Sequence, residues 1–102
     1  MKVVTIIQAR MGSTRLPGKV LKDIGGQSVL ARVVNRVRRA RLGGEVIIAT
    51  TAKSADDVIV EECRRIAVDT FRGAEDDVLD RYYQCALSAG ASAVVASPRI
   101  AH

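Results

Sequence analysis

Between Ala9 and Lys19 the chain sets two arginines, a lysine, two hydroxyls and two glycines within eleven residues. This stretch, Ala9-Arg10-Met11-Gly12-Ser13-Thr14-Arg15-Leu16-Pro17-Gly18-Lys19, follows directly on an apolar run containing Val3, Val4, Ile6 and Ile7. Glycines let backbone N–H groups come close to an anion. Arg10 and Arg15 add planar forks that match phosphate oxygens, and Lys19 adds a point charge. A bend of this make-up at the carboxyl end of a first strand is suited to holding a polyphosphate. The plain alternative is a basic surface turn; the strand before it and the clustering of charge weigh against that.

Two common phosphate motifs do not fit. The P-loop needs four residues between its first glycine and a Gly-Lys pair, then Ser or Thr. Here five residues separate Gly12 from Gly18, and Val20 follows Lys19. The dinucleotide fingerprint G-x-G-x-x-G is also missing from the bend.

The segment Ile6 to Arg36, with the block Gln8-Ala9-Arg10-Met11-Gly12-Ser13-Thr14-Arg15-Leu16-Pro17-Gly18-Lys19, resembles the start of the cytidylyltransferases that activate acidic sugars. These include the acylneuraminate and 3-deoxy-manno-octulosonate cytidylyltransferases, and the nearest branch resembles spore coat polysaccharide biosynthesis protein F. The similarity continues through Val46-Ile47-Ile48-Ala49-Thr50-Thr51 and the block from Phe71-Arg72-Gly73 to Arg81-Tyr82-Tyr83. It covers about residues 2 to 95, and the two blocks together are specific.

The resemblance implies a three-layer α/β/α Rossmann-like parallel sheet of the nucleotide-diphospho-sugar transferase type. It implies that a sugar hydroxyl attacks the α-phosphate of CTP and expels pyrophosphate, giving a CMP-sugar for surface or spore coat polysaccharide. Such a reaction relies on positioning and charge neutralisation. Carried over by motif, Arg10, Ser13, Arg15 and Lys19 grip the triphosphate. Gln8, Ala9 and Gly12 shape the pocket through their backbone, and Arg72 lies near the base or sugar. Arg10 and Lys19 are the catalytic candidates, stabilising charge as pyrophosphate leaves. Mg2+ is expected to bridge the phosphates.

The elements that must position these residues alternate. Val3–Gln8 reads as a strand, near-continuously apolar as in a parallel sheet covered on both faces. Lys19–Asp23 reads as a short helical turn and Gly25-Gly26 as a tight turn. Ser28 is an N-cap for a helix to about Arg41, closed by Gly43-Gly44. Val46–Thr50 reads as a second strand. Ser54, with Asp57 three residues on, resembles a capping box opening a helix through Ile66. Val68–Phe71 is a short third strand. Asp76 or Asp77 opens a helix ending near Ala89-Gly90, and Ala93–Ala96 begins a fourth strand. This βαβαβαβ order implies a parallel sheet with ligands beyond the carboxyl ends of its strands. Ala9–Lys19, Thr50-Thr51 and Arg72-Gly73 then share one rim.

Composition agrees with one small α/β domain: 102 residues, 48% apolar but only 3% aromatic, so the core must be Val, Ile, Leu and Ala. No apolar run approaches a membrane span, and no signal peptide is evident, which points to a cytoplasmic location. Cys63 and Cys85 read as reduced, half-buried thiols, with no nearby Cys or His to complete a zinc set. Charge is lopsided. Residues 1–44 hold ten Lys or Arg against one acid, and residues 45–102 hold six against ten. The basic half carries the bend, so an anionic ligand fits. Nucleic acid is the competing anion. It is disfavoured because aromatic residues do not interleave with the basic ones, and Arg36, Arg38, Arg39 and Arg41 read as a solvated helix face. Three readings follow: a truncated sugar cytidylyltransferase with little or no activity, a nucleotide-binding module without catalysis, and a basic nucleic-acid or partner-binding domain.

The last seven residues depart from the resemblance. After Val94-Val95 such sequences continue Arg-Ile-Thr-Ala-Asp-Cys-Pro-Leu-Ile, the Asp serving the metal; here the chain reads Ala96-Ser97-Pro98-Arg99-Ile100-Ala101-His102. One synonymous coding of the expected motif is CGC ATC ACC GCG GAT TGC CCA CTG ATC. Losing its first base gives GCA TCA CCG CGG ATT GCC CAC TGA, which encodes this tail and a stop. The expected organisation is therefore a nucleotide-binding part over 1–95 and a frameshifted tail over 96–102. The metal-site Asp would then be absent, and an unpaired sheet edge would invite pairing between copies. Sequencing the gene past codon 96 should show Arg-Ile-Thr-Ala-Asp in the displaced frame; a displaced frame without it refutes the frameshift.

Overall fold

The structure is a computed structural model that describes residues 3–12, 19–40, 45–91 and 93–96. Four parallel strands form one sheet in the order β5-β4-β1-β6. They are β1 (Val3–Gln8), β4 (Glu45–Thr51), β5 (Asp69–Gly73) and β6 (Ala93–Ala96). A two-stranded antiparallel hairpin, β2 (Asp23–Ile24) and β3 (Gln27–Ser28), stands apart from the sheet. Three helices connect the strands: α1 (Val29–Ala40), α2 (Asp57–Arg65) and α3 (Val78–Ala89). The expected α/β architecture is present, with its four parallel strands. Gly43-Gly44 and residues 97–102 of the expected tail lie outside the described residues.

β1 is central because it is mostly apolar and almost wholly buried. Val4, Ile6 and Ile7 are fully buried, and the strand pairs with β4 on one side and β6 on the other. Alternation divides its side chains between two cores. Ile7 and Ile48 pack with Leu30 and Val34 of α1 and with Ile59 and Cys63 of α2. Val4, Ile6, Ile47 and Ala49 pack with Cys85 of α3, flanked by Phe71, Tyr82 and Ala86. Helices α1 and α2 thus cover one face and α3 the other, giving three layers. The chain steps from β1 to β4 to β5 in one direction, then returns to place β6 on the far side of β1. The strand order reverses between β1 and β6, the position where open α/β sheets bind ligands.

Local chemistry sets most boundaries. Gly25 and Gly26 adopt φ of 64° and 89°, the left-handed pair that a two-residue hairpin turn requires. Ser28 caps α1, its Oγ accepting from the Ala31 N–H at 3.0 Å. Asp77 caps α3 by accepting from Asp80 N at 2.9 Å. Gly90 closes α3 in the left-handed region, and Ala91 N donates to Ala86 O at 3.1 Å.

Two expectations need correction. The Ser54 capping box does not form: Ser54–Asp56 is a 3-10 turn, and α2 begins at Asp57 with Asp56 at the N-cap position and no side-chain capping bond. The Asp56 carboxylate is drawn instead to Met11 and Thr51. Cys63 and Cys85 are fully buried rather than half-buried, on opposite faces of the sheet. Burial pushes the Cys63 thiol up to about 12 and the Cys85 thiol up to about 11, so both stay protonated and unreactive.

Glu62 joins α2 to the start of α1. Its Oε2 accepts from Ser28 Oγ at 2.5 Å, and Arg65 donates to both carboxylate oxygens at 2.7 Å. The Arg65 hydrogen bonds hold the Glu62 carboxyl below its usual 4.5, with burial opposing and Ser28 assisting. A depressed carboxylate stabilises the fold above its unfolded pKa, and that gain is lost as pH falls through the folded value. Glu62→Gln should therefore lower unfolding free energy by about 1–2 kcal/mol at neutral pH. Urea titrations should show the gap from wild type closing below the usual 4.5.

Candidate functional site

The carboxyl ends of β1, β4 and β5 form a continuous rim, set by the registers Gln8↔Ala49, Thr50↔Arg72 and Thr51↔Gly73. Of the sequence-derived candidates, Gln8, Ala9, Arg10, Gly12, Thr50 and Arg72 lie on it. Gln8, Ala9 and Thr50 are buried, and Arg10 is half-buried. Ser13 and Arg15 lie outside the described residues. Lys19 is placed by its backbone, at the first position of a 3-10 turn over Lys19–Leu21.

The bend is anchored at both ends. At its start, Ala9 N donates to Ala49 O at 3.0 Å, extending the β1–β4 ladder by one residue. Met11 N then donates to Asp56 Oδ1 at 2.7 Å, and the Met11 side chain packs on the core under α1 and α2. At its end, Val20 is fully buried in that same core. Between these points Gly12 is exposed, and a Cβ added there would meet nothing within 4 Å. Arg10 makes no hydrogen bond or ion pair to any described residue, so its charge is uncommitted.

Asp56 is the keystone of this end of the sheet. Its carboxylate is almost wholly buried, takes the Met11 N–H on Oδ1 and the Thr51 hydroxyl on Oδ2. Both oxygens are spent on holding the bend to the β4–α2 connection. Arg72 works on the same connection: Nε donates to Thr51 O at 2.8 Å, Nη2 to Lys53 O at 2.7 Å, and Nη1 pairs with Asp57 at 2.8 Å. The guanidinium of this candidate thus faces the loop, with all three nitrogens engaged. Lys53 extends the stitching to Glu75 at 2.8 Å. The Glu75 hydrogen bond and charge raise the Lys53 ammonium above its ordinary value.

On the α3 side the fixing residue is Arg81, only 2% exposed. Its Nε donates to Gln8 Oε1 at 2.6 Å and its Nη1 to Ala74 O at 2.7 Å. Gly73 makes room for it. A Cβ at Gly73 would lie 3.0 Å from Arg81 Cγ and 3.0 Å from the Phe71 ring. Phe71, Gly73 and Arg81 are therefore one packing unit, which explains physically why they sit in one sequence block. Sequence reasoning missed Asp56 and Arg81 as site residues. Each had a weak signal, Asp56 as an acid at a helix start and Arg81 as a charge inside the second specific block.

Against known families, residues 4–96 match the family model described as cytidylyltransferase. The chain belongs to the cytidylyltransferase family. It is 44% identical over 84 residues to spore coat polysaccharide biosynthesis protein SpsF of Bacillus subtilis, covering 78% of this chain and 35% of that protein. Its fold matches a cytidylyltransferase from Leptospira borgpetersenii with a TM-score of 0.86 and 34% identity, over 94% of this chain and 41% of the other. It also matches a CMP:2-keto-3-deoxy-manno-octonic acid synthetase complexed with CTP, with a TM-score of 0.74 and 25% identity, over 98% of this chain and 43% of that one. The chain spans about a third of the length of the curated relatives it matches. Among the described residues no helix is long and apolar enough to cross a membrane.

Within this family fold, Asp56 holds the cationic bend in place. Asp56→Ala leaves the Met11 N–H and Thr51 hydroxyl without their buried acceptor and should cost about 2–4 kcal/mol. Chemical denaturation measures the loss, and hydrogen exchange at the Met11 amide should accelerate with it; unchanged exchange at Met11 would refute the anchoring role.

Proposed function

We propose that this chain supplies the CTP-binding part of a cytidylyltransferase that makes a CMP-sugar for polysaccharide synthesis. The observation that carries the reading is the cation-bearing bend after β1, fixed by Asp56 and Val20 at the rim of a cytidylyltransferase-family sheet. The structural relative complexed with CTP supports it.

In this reading Arg10, Ser13, Arg15 and Lys19 bind the triphosphate, and Gly12 allows close approach of the backbone. Gln8, Ala9 and Thr50 line the nucleoside end, with Arg72 shaping that wall through the loop it clasps. The acceptor hydroxyl attacks the α-phosphorus, a new P–O bond forms to the sugar, and pyrophosphate departs with the electron pair. Arg10 and Lys19 offset the charge that develops on the leaving group. Among the described residues no group of three His, Cys, Asp or Glu could hold a metal ion, and the carboxylate nearest the bend, Asp56, has both oxygens occupied. Among the described residues the donor set does not make up a magnesium site, and no step is assigned to the ion. The acceptor sugar and turnover belong to the whole-protein activity proposed here, and these residues alone are expected to bind nucleotide with little or no transfer.

A thermal-shift screen with the four NTPs tests this. CTP at roughly a hundred times its Kd should stabilise the fold by about 2–3 kcal/mol, more than ATP, GTP or UTP. Arg10→Ala should weaken CTP by about tenfold or more through loss of a charge-assisted contact. No response to any nucleotide, together with salt-sensitive RNA binding, would overturn the reading in favour of a basic nucleic-acid domain.

A further inference from the structure

Two buried side-chain polar atoms of the described residues have no hydrogen-bond partner: Gln8 Nε2 and Thr50 Oγ1. Both sit at the carboxyl ends of adjacent strands, where Gln8 pairs with Ala49 and Thr50 follows. Buried polar atoms are almost always paired, so an orphan marks a place where a partner belongs. The two lie on opposite faces: Gln8 continues the row of Val4 and Ile6 on the α3 side, whereas Thr50 continues the row of Ile48 on the α1–α2 side, and the inference below rests on Gln8. Gln8 is 5% exposed and ends β1, beside the point where the strand order reverses.

The orientation of the Gln8 amide is dictated by chemistry. Arg81 Nε donates to its oxygen at 2.6 Å, and a guanidinium has donors only. The amide oxygen must therefore face Arg81, and the NH2 group must face away from it. Arg81 is itself locked by its bond to Ala74 O and by the packing of Gly73 and Phe71 against its stem.

We propose that Arg81 is a positioning residue that fixes Gln8 as a hydrogen-bond donor to N3 of a cytosine ring, and so sets the preference for CTP over UTP. This rests on the CTP reading above. A buried neutral amide suits a neutral ring, whereas the phosphates draw the cations of the bend. Cytosine presents an unprotonated N3 acceptor; uracil carries a hydrogen there, which a fixed donor opposes. An amide free to turn could offer its oxygen instead and would accept either base.

Calorimetric titration of the full chain with CTP and UTP tests the proposal. Gln8→Glu keeps the Arg81 contact as an ion pair, replaces the donor by an acceptor and adds a negative charge, so tripolyphosphate binding is measured beside it and should fall less than CTP binding. This variant should keep its melting temperature without nucleotide while CTP affinity falls about tenfold or more. Arg81→Met should narrow the CTP:UTP affinity ratio by about tenfold, with inorganic tripolyphosphate binding unchanged. A purely structural arginine would instead weaken both nucleotides equally. Unchanged CTP affinity in Gln8→Glu, an unchanged ratio in Arg81→Met, or equal CTP and UTP affinity in wild type overturns the positioning role alone. If Arg81→Met does not fold, Gln8→Glu decides. A wild-type chain that binds neither nucleotide overturns the CTP reading and this inference together.

Discussion

The burial of β1 governs everything else in this molecule. A strand with neighbours on both sides and cores on both faces has no exposed surface along its length. Its chemistry can appear only at its carboxyl end, where pairing stops and the backbone turns out. The sheet delivers Gln8, Ala9 and Arg10 to that point in three consecutive residues, which pass from buried to half-buried. The other strands present their ends beside it because parallel registers align them. A functional site at this rim is thus a consequence of topology before any particular side chain is considered.

Topology alone would leave three loops loosely arranged, and the sequence spends its buried charges on preventing that. Asp56 joins the bend after β1 to the β4–α2 connection. Arg72 joins β5 to the same connection, and Lys53 joins it to the loop after β5. Arg81 joins α3 to β1 and to that last loop. Each link uses a charged group; Asp56 and Arg81 make theirs where water is largely excluded, whereas the Arg72–Asp57 and Lys53–Glu75 pairs lie towards solvent. Interactions of this kind are stronger than neutral ones and leave a larger deficit when one partner is removed. The rim is accordingly a bonded frame, and Arg10 is carried on it rather than forming it.

Much of this was legible in the sequence, and the parts that were not share one physical feature. The strands, the order of helices and the caps at Ser28, Asp77 and Gly90 follow from local signals: apolar runs, a hydroxyl or carboxylate before a helix, a glycine after one. The start of α2 was misread because Ser54 and Asp57 carry the local signature of a capping box, whereas the residue at the N-cap position is Asp56, whose carboxylate answers to Met11, forty-five residues away. Arg81 was missed as a site residue for the same reason, since its partner Gln8 is seventy-three residues distant. The end of α2 falls at Arg65, one residue before the expected Ile66, although no glycine marks it. Ala67 takes a φ of 57°, a conformation that usually selects glycine, and Val68 N closes the helix on Cys63 O at 2.9 Å. Long-range hydrogen bonds leave no periodic trace, so pattern reading fails where they decide the structure.

The surplus of positive charge divides along the same line. Arg32 donates to Ile24 O, and Arg38 donates to Ala67 O at 2.9 Å, each closing a turn by capping its carbonyl. Arg64 and Arg65 pair with glutamates three residues earlier on their own helix. Arg72 and Arg81 are committed to the rim frame. Guanidinium groups bound in this way serve the fold, and their number inflates the apparent basicity without making a binding surface. Arg10 stands apart: it sits at the carboxyl end of the central strand, half-buried, with no described partner to neutralise it. Arg36 and Arg39 are likewise without a described partner, but they lie on the outer face of α1, whereas Arg10 lies at the rim where the strand order turns.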